Sequence, residues 1–211
     1  MATVPGLTLD DDLLTPPQQE WIVEQLDRRG WLHDLSRRTQ HYGYRYDYKS
    51  RNVTDTEPLL PFMAEIARQI ESMLVVDFGH PTVRLESGYF NQCIVNEYTR
   101  KQGIRAHTDS PVFGEVIVSV SLSEAVVMNF TRLDADGVVA EQVDLTLRPG
   151  SVLTLRGPAR HEWRHEISNN VSMPLDLSVL TAEERWRYPD GKRPLNYRRV
   201  SLTYRHVDVV S

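Results

Sequence analysis

Apolar positions recur at three- and four-residue steps in two stretches of the chain. Trp21, Ile22, Val23 and Leu26 form one stripe. Thr15 stands before it as a cap, Pro16 suits the first turn, and Gln18 completes a Ser/Thr-x-x-Gln capping box. Gly30, after Arg28-Arg29, stops it. Leu59, Phe62, Met63, Ile66, Ile70, Met73 and Leu74 form the second stripe, over 59–76. The pattern predicts two helices laid on a sheet as outer layers. Between them, Tyr42, Tyr44, Tyr46 and Tyr48 alternate with other residues, which predicts a ribbon with one aromatic face and an Arg37-Arg38 flank. From residue 89 the period shortens. Strands are expected at 89–98, 115–122, 125–132, 141–147, 151–156, 163–168 and 198–208, with Gly103, Pro111, Gly137, Pro149-Gly150 and Gly157-Pro158 as punctuation. The expected fold is mainly β with flanking helices, the strands closing into a sandwich or barrel. Residues 168–197, with Pro174, Pro189, Asp190-Gly191 and Pro194, read as a long loop or insertion. We therefore expect a single domain of 211 residues, with helices and ribbon in 1–88 and the β core in 89–211.

Composition narrows the function classes. With 40% hydrophobic and 25% charged residues the chain is not largely disordered. No run of eighteen apolar residues is present, so no membrane helix is expected, and the first residues carry no secretory pattern. One cysteine, Cys93, excludes a Cys-rich zinc finger and an internal disulfide, and fits a cytoplasmic setting. A net charge of −5 speaks against a dedicated non-specific nucleic-acid binder but leaves room for a local basic patch.

Three clusters could carry chemistry. His107-Thr108-Asp109 places an imidazole and a carboxylate on one side of an extended segment, where both can reach one metal ion. The plain alternative is a polar turn before Ser110-Pro111. His161-Glu162-Trp163-Arg164-His165 matches the zinc-peptidase pattern His-Glu-x-x-His, which needs a helix to put both histidines on one face. Its neighbours, a strand-like run before Gly157-Pro158 and Ser168-Asn169-Asn170 after it, argue against that helix. One histidine of this cluster joined to His107 and Asp109 gives two histidines and a carboxylate, the facial triad of non-haem iron oxygenases. The third cluster is Arg199-Val200-Ser201-Leu202-Thr203-Tyr204-Arg205. On a strand its arginines share a face with Ser201 and Thr203, and the other face is apolar. Two cations inside a barrel call for an anion, and two arginine forks suit a dicarboxylate. An edge strand with its arginines in solvent is the competing interpretation. Asn96 and Tyr98 share a face at the end of another strand.

Asn96-x-Tyr98, His107-x-Asp109 nine residues after the tyrosine, His165, and Arg199-x5-Arg205, in that order, resemble the AlkB family of Fe(II)- and 2-oxoglutarate-dependent dioxygenases. Gly157-Pro158-Ala159-Arg160 is similar to that family's lead-in to its distal histidine and favours His165 over His161 as a ligand. The resemblance implies a double-stranded β-helix (jelly roll), Fe(II) held by the catalytic triad His107, Asp109 and His165, and 2-oxoglutarate anchored by Arg205 with help from Arg199, Asn96 and Tyr98. It implies that O2 and 2-oxoglutarate are consumed, succinate and CO2 released, and an alkyl carbon on a base in DNA or RNA hydroxylated and lost as formaldehyde. Hydroxylation of a tRNA nucleoside, a protein side chain or a small metabolite is the alternative within this chemistry, and a zinc hydrolase the alternative outside it. The stretch Gln40–Tyr44 resembles the family's nucleotide-recognition lid, which makes Arg38, His41, Tyr42 and Tyr44 candidate substrate contacts. With Glu115–Leu122 it looks like the branch that includes tRNA wobble-uridine hydroxylases. Three features depart from the family: Ser110-Pro111 where repair members carry a second acidic residue, Ser201 where the best-known bacterial member has Asn, and a longer path from His165 to Arg199. The expected partner is alkylated nucleic acid, and the expected state a monomer.

Overall fold

Residues Arg198–Arg205 form a strand whose two faces are both buried, and the rest of the fold follows from covering them. The computed structural model describes residues 3–33, 35–47, 50–77, 85 and 88–208. The elements, in order, are β1 (Leu7–Asp10), α1 (Pro16–Asp27), β2 (Arg38–Tyr42), β3 (Tyr44–Tyr46), β4 (Val53–Asp55), α2 (Pro61–Asp77), β5 (Gln92–Thr99), β6 (Ile104–His107), β7 (Ile117–Leu122), β8 (Val126–Leu133), β9 (Val139–Leu147), β10 (Val152–Leu155), α3 (Pro158–His161), β11 (Trp163–Ile167), α4 (Ala182–Trp186) and β12 (Arg198–Arg205). A six-stranded sheet has the order β1-β10-β7-β12-β5-β2, and a four-stranded sheet the order β6-β11-β8-β9. Their inner faces share one apolar cluster that includes Tyr98, Ile117 and Leu155 from the first and Met128, Phe130, Trp163 and Ile167 from the second. This is the jelly roll expected from the sequence. It recruits β1 and β2 from the N-terminal part as strands of the large sheet.

Val200, Leu202 and Tyr204 point to the other side of β12. They pack with Cys93 and Val95 of β5, Val118, Val120 and Leu122 of β7, and Ile22, Leu26, Met63, Ile66 and Ile70 of the two helices. Leu26 and Met63 are fully buried. Each such side chain contributes about 1.5–3 kcal/mol by leaving water. The helices thus fix one face of the strand and force its polar face, Arg199 to Arg205, into the barrel. The capping box is as the sequence indicates, with the Thr15 N–H donating to Gln18 Oε1 at 2.8 Å.

Two local expectations are corrected. The tyrosine ribbon is not one strand. Gly43, at φ +75°, breaks it, and a Cβ there would lie 1.9 Å from the Asn91 carbonyl oxygen. Tyr42 stays on β2, whereas Tyr44 and Tyr46 move to a hairpin with β4, so the period-two alignment is lost; Tyr48 lies outside the described residues. Residues 168–197 are not a free loop. Tyr188 and Tyr197 hydrogen-bond the Ala125 backbone, and Arg193, 2% exposed, donates to the carbonyls of Arg100, Gln102 and Ser168. Arg193 therefore fastens this segment to the β5–β6 turn. Gly43→Ala should lower the unfolding free energy by about 2–4 kcal/mol, from left-handed strain and the clash with Asn91, read as a fall in melting temperature. An unchanged melting temperature would show that the break does not depend on glycine.

Candidate metal centre

β6 and β11 lie side by side, and their antiparallel register sets His107 opposite His165. The two rings are 4.3 Å apart. A protonated His107 Nδ1 donates to the Arg105 carbonyl at 2.8 Å, which leaves Nε2 free to act as a ligand. Asp109 follows two residues beyond the end of β6, with Oδ2 3.6 Å from His165 Nε2. Potential ligand atoms of His107, Asp109 and His165 all lie within 4.8 Å of one another, and this is the metal-capable cluster found among the described residues. His161 is elsewhere. It ends the short helix α3, is exposed, and meets Glu115 at 2.8 Å. The His-Glu-x-x-His pattern is divided between α3 and β11, so it does not form the helical zinc site.

Burial and charge prepare the ligands. Burial opposes the Asp109 charge, but Arg205 first, then His165, His107 and Arg160, outweigh it and hold its pKa down at about 2. His165 is pushed down to about 4, chiefly by burial, with Asp109 opposing. At neutral pH the carboxylate is charged and His165 neutral, the forms that bind a cation. The Nδ1 of His165 is buried with no hydrogen-bond partner among the described residues. Two histidines and one carboxylate leave coordination positions open, and this donor set suits Fe(II).

The loop bearing Asp109 is held by a residue that the sequence marked only as a lead-in. Arg160 of α3, 2% exposed, donates Nη1 to the Asp109 carbonyl at 3.0 Å, Nη2 to the carbonyls of Ser110 at 2.7 Å and Phe113 at 3.1 Å, and Nε to that of Gly114 at 3.3 Å. One guanidinium thus ties the Asp109 loop to the segment that leads into His165.

The same cavity is lined by Arg199, Ser201, Thr203 and Arg205 of β12 and by Asn96 and Tyr98 of β5. The edge-strand alternative is therefore excluded. The two arginines differ. Arg205 donates to Asp109 Oδ1 at 2.5 Å and lies over the Phe113 ring. Arg199, 1% exposed, donates to Ser121 Oγ at 2.8 Å, its Nε has no partner, and no carboxylate of the described residues pairs with it. Burial lowers its pKa, and only tyrosines oppose that effect. A buried cation in this state is costly unless an anion arrives. Arg37 is a cavity residue that the motifs did not single out. Its Nε donates to Asn96 Oδ1 at 2.7 Å, and its guanidinium and that of Arg199 lie 5.6 and 5.5 Å from the Tyr98 ring centre.

The four candidate substrate contacts do not line this cavity. Strand alternation on β2 turns Arg38 and Tyr42 to the helix side. Arg38 forms an ion pair with Glu97 at 2.5 Å, and Tyr42 is buried in the helix cluster with its hydroxyl on Gln40. His41 lines a separate groove with Arg29 and Glu57. Tyr44 packs against the inner cluster. Tyr46, on the same hairpin face, stacks edge-on to Phe113 at 5.5 Å and accepts from Ser110 Oγ at 3.2 Å.

A jelly roll with two histidines and one carboxylate converging on its cavity, and a buried arginine that no carboxylate of the described residues pairs with, has the donor set of a mononuclear iron oxygenase. The chain belongs to the 2OG-Fe(II) oxygenase superfamily, whose family model matches residues 12–205, and within it to the AlkB family. It is 32% identical over 199 residues to the alkylated DNA repair protein ALKBH8 homolog of Arabidopsis thaliana, covering 86% of this chain and 56% of that protein. It is 27% identical over 201 residues to mouse tRNA (carboxymethyluridine(34)-5-O)-methyltransferase ALKBH8, covering 88% of this chain and 27% of that one. The chain thus spans little more than half, or less, of these relatives. Among solved structures, OsALKBH1 matches with a TM-score of 0.68 at 18% identity over 98% of this chain and 99% of its own. No helix among the described residues is long and apolar enough to cross a membrane.

Arg160→Gln should weaken Mn(II) binding about 10- to 100-fold, measured by the free-ion electron paramagnetic resonance signal, and Arg160→Lys should recover part of the loss. Unaltered affinity in the folded Gln variant would show that Asp109 is positioned without Arg160.

Proposed function

We propose that the chain is an Fe(II)- and 2-oxoglutarate-dependent dioxygenase that hydroxylates an alkyl or ring C–H on a nucleobase within a nucleic acid. The observation that carries this reading is Arg199: a buried guanidinium that no carboxylate of the described residues pairs with, in the same cavity as three convergent metal ligands. His107, Asp109 and His165 hold the iron. Arg199, with Ser121 beside it, receives the distal carboxylate of 2-oxoglutarate. Arg205, already committed to Asp109, holds that carboxylate side chain charged and oriented. This divides the two arginines differently from the expectation that Arg205 is the main anchor. Asn96, fixed by Arg37, and Tyr98, whose ring meets the guanidiniums of Arg37 and Arg199, form the wall beside the co-substrate. Ile117, Met128, Leu153 and Leu155 line the same cavity and limit water around the reacting groups. When bound, iron and 2-oxoglutarate supply the oxidising chemistry, in which O2 is consumed, succinate and CO2 are released and a substrate C–H becomes C–OH; an N-methyl group so hydroxylated leaves as formaldehyde.

Support for a nucleic-acid substrate comes from the AlkB kinship and from relatives whose names refer to DNA repair and tRNA. The aromatic hairpin face bearing Tyr44 and Tyr46, packed near Phe113, offers rings for a base to stack on. Dealkylation of alkylated DNA or RNA is the primary reading, and hydroxylation of a tRNA nucleoside its variant.

Anaerobic Fe(II) with 2-oxoglutarate should give a weak visible charge-transfer band. Arg199→Ala should raise the 2-oxoglutarate concentration for half-maximal intensity about 10- to 100-fold, the worth of a lost charge-assisted contact, and Asp109→Ala should abolish the band. His161→Ala and Glu162→Ala should leave it intact. An Arg199→Ala titration that overlays the wild type would remove Arg199 from this role. Succinate release across methylated DNA and RNA oligonucleotides, tRNA and free nucleosides identifies the substrate.

A further inference from the structure

Glu97 stands between Asn96 and Tyr98 on β5, and strand alternation turns it to the opposite face of the sheet. It is 2% exposed. Two arginines from the neighbouring strands reach it. Arg38 of β2 donates Nε to Oε2 at 2.5 Å and Nη2 to Oε1 at 2.6 Å. Arg198 of β12 donates Nε to Oε1 at 2.6 Å. The rest of the Arg198 guanidinium turns to the end of α1, with Nη1 on Asp27 Oδ2 at 2.7 Å and Nη2 on Oδ1 at 2.5 Å. Trp31 closes the ring. Its indole N–H donates to Asp27 Oδ1 at 3.2 Å, and its ring centre lies 5.0 Å from the Arg38 guanidinium. Two cations meet two carboxylates, so the ring is balanced in charge and calls for no ligand of its own. Burial opposes the charge of Glu97, but the hydrogen bonds from Arg38 and Arg198 outweigh it and lower its pKa.

The position of this ring on the sheet gives it a second consequence. Register sets Arg38 opposite Glu97 on one side of β5 and Val200 opposite Glu97 on the other. One residue along, Arg199 stands opposite Tyr98 and faces the cavity. Arg37 comes one residue before Arg38 and lines the same cavity. The three strands that Glu97 joins are therefore those that carry or adjoin Arg37, Tyr98 and Arg199. The Tyr98 ring meets both guanidiniums, at 5.6 and 5.5 Å, so its contacts depend on the spacing of these strands. All three strands stop here: β2 starts at Arg38, β12 starts at Arg198, and β5 ends at Thr99. The end of a ladder is where strands open most readily, and charge-assisted hydrogen bonds are the strongest polar means of closing it. The histidine ligands, by contrast, lie on β6 and β11 of the other sheet.

We propose that Glu97 is a positioning residue for the co-substrate: through Arg38 and Arg198 it clamps the ends of β2 and β12 to β5, and so sets where Arg37, Tyr98 and Arg199 stand in the cavity. This role rests on the assignment of Arg199 to the 2-oxoglutarate carboxylate and adds to it a polar clamp on the far face of the sheet. Arg38, expected from the sequence to touch substrate, becomes an arm of that clamp. The competing role is a staple that only ties α1 to the sheet. It predicts lower stability with no change in co-substrate affinity.

The test is a pair of titrations on the full chain, read beside melting temperature. One follows the anaerobic Fe(II) charge-transfer band against 2-oxoglutarate. The other follows Mn(II) binding without co-substrate by the free-ion electron paramagnetic resonance signal. Glu97→Gln keeps the shape, removes the charge and should raise the half-saturating 2-oxoglutarate concentration about tenfold while Mn(II) affinity stays at the wild-type value. Glu97→Asp, which keeps the charge, should recover part of the loss. Arg38→Gln breaks one arm at a partly exposed residue and should act in the same direction by a smaller factor; it decides the matter if Glu97→Gln does not fold. If the folded variants melt lower but titrate with 2-oxoglutarate as the wild type does, the ring is a staple and the clamp is overturned, while the role of Arg199 stands. If Mn(II) affinity falls by the same factor as 2-oxoglutarate affinity, the loosening is general and the clamp is again overturned. If Arg199→Ala itself leaves the 2-oxoglutarate titration unchanged, the co-substrate assignment fails and takes the positioning role with it.

Discussion

A positive charge buried inside the barrel, with no carboxylate of the described residues to meet it, is the constraint on which the site depends. Arg199 is forced inward because the opposite face of its strand, Val200, Leu202 and Tyr204, is covered by α1 and α2. Had that face been open, the strand could have rolled and put the guanidinium in water. The helices, far from any chemistry, thus commit the fold to an unneutralised cation. The proposed function gives that cation a dicarboxylic co-substrate to meet, and Asn96, Tyr98, Ser201 and Thr203 give the cavity around it a polar lining. Burial opposes the charge of Arg199, as is common where unpaired polarity collects at a site.

The same division of roles runs through the metal side. His107 and His165 are fixed by strand register, the most rigid device available. Asp109 lies past the strand end, where no ladder holds it, and a second buried guanidinium, Arg160, takes over by binding four carbonyls of its loop. Arg205 then sets the charge of that carboxylate. Three buried arginines thus perform three tasks. Arg160 shapes, Arg205 polarises, and Arg199 is the one to which the proposed function gives the co-substrate. A fourth, Arg193, does structural work for the rim in the insertion that the sequence offered only as an irregular loop.

What the sequence disclosed depended on whether a pattern was local. The facing of β12 followed from strict alternation in Arg199–Arg205, and the helical stripes followed from their periods. His165 was preferred to His161 because Gly157-Pro158-Ala159-Arg160 resembles the family's lead-in to its distal histidine. Alternation also misled: four tyrosines at even numbers suggested one face, but Gly43 interrupts the count, and only the contact with the Asn91 carbonyl explains why. Arg38 and Tyr42 were assigned to substrate on resemblance, whereas their neighbours across β5, Glu97 and Cys93, belong to the helix side. Such pairings join residues more than fifty positions apart, and nothing in the local pattern encodes them. Arg37 was read only as part of the ribbon's flank for the same reason, since its partner is Asn96.

The account is tested most directly by a crystal structure of the protein grown anaerobically with Mn(II) and 2-oxoglutarate. It predicts one ion bonded to His107, Asp109 and His165, with the far carboxylate of the acid on Arg199 and Arg205 still on Asp109. An ion bound elsewhere, or a far carboxylate resting on Arg205 with Arg199 left bare, would contradict it.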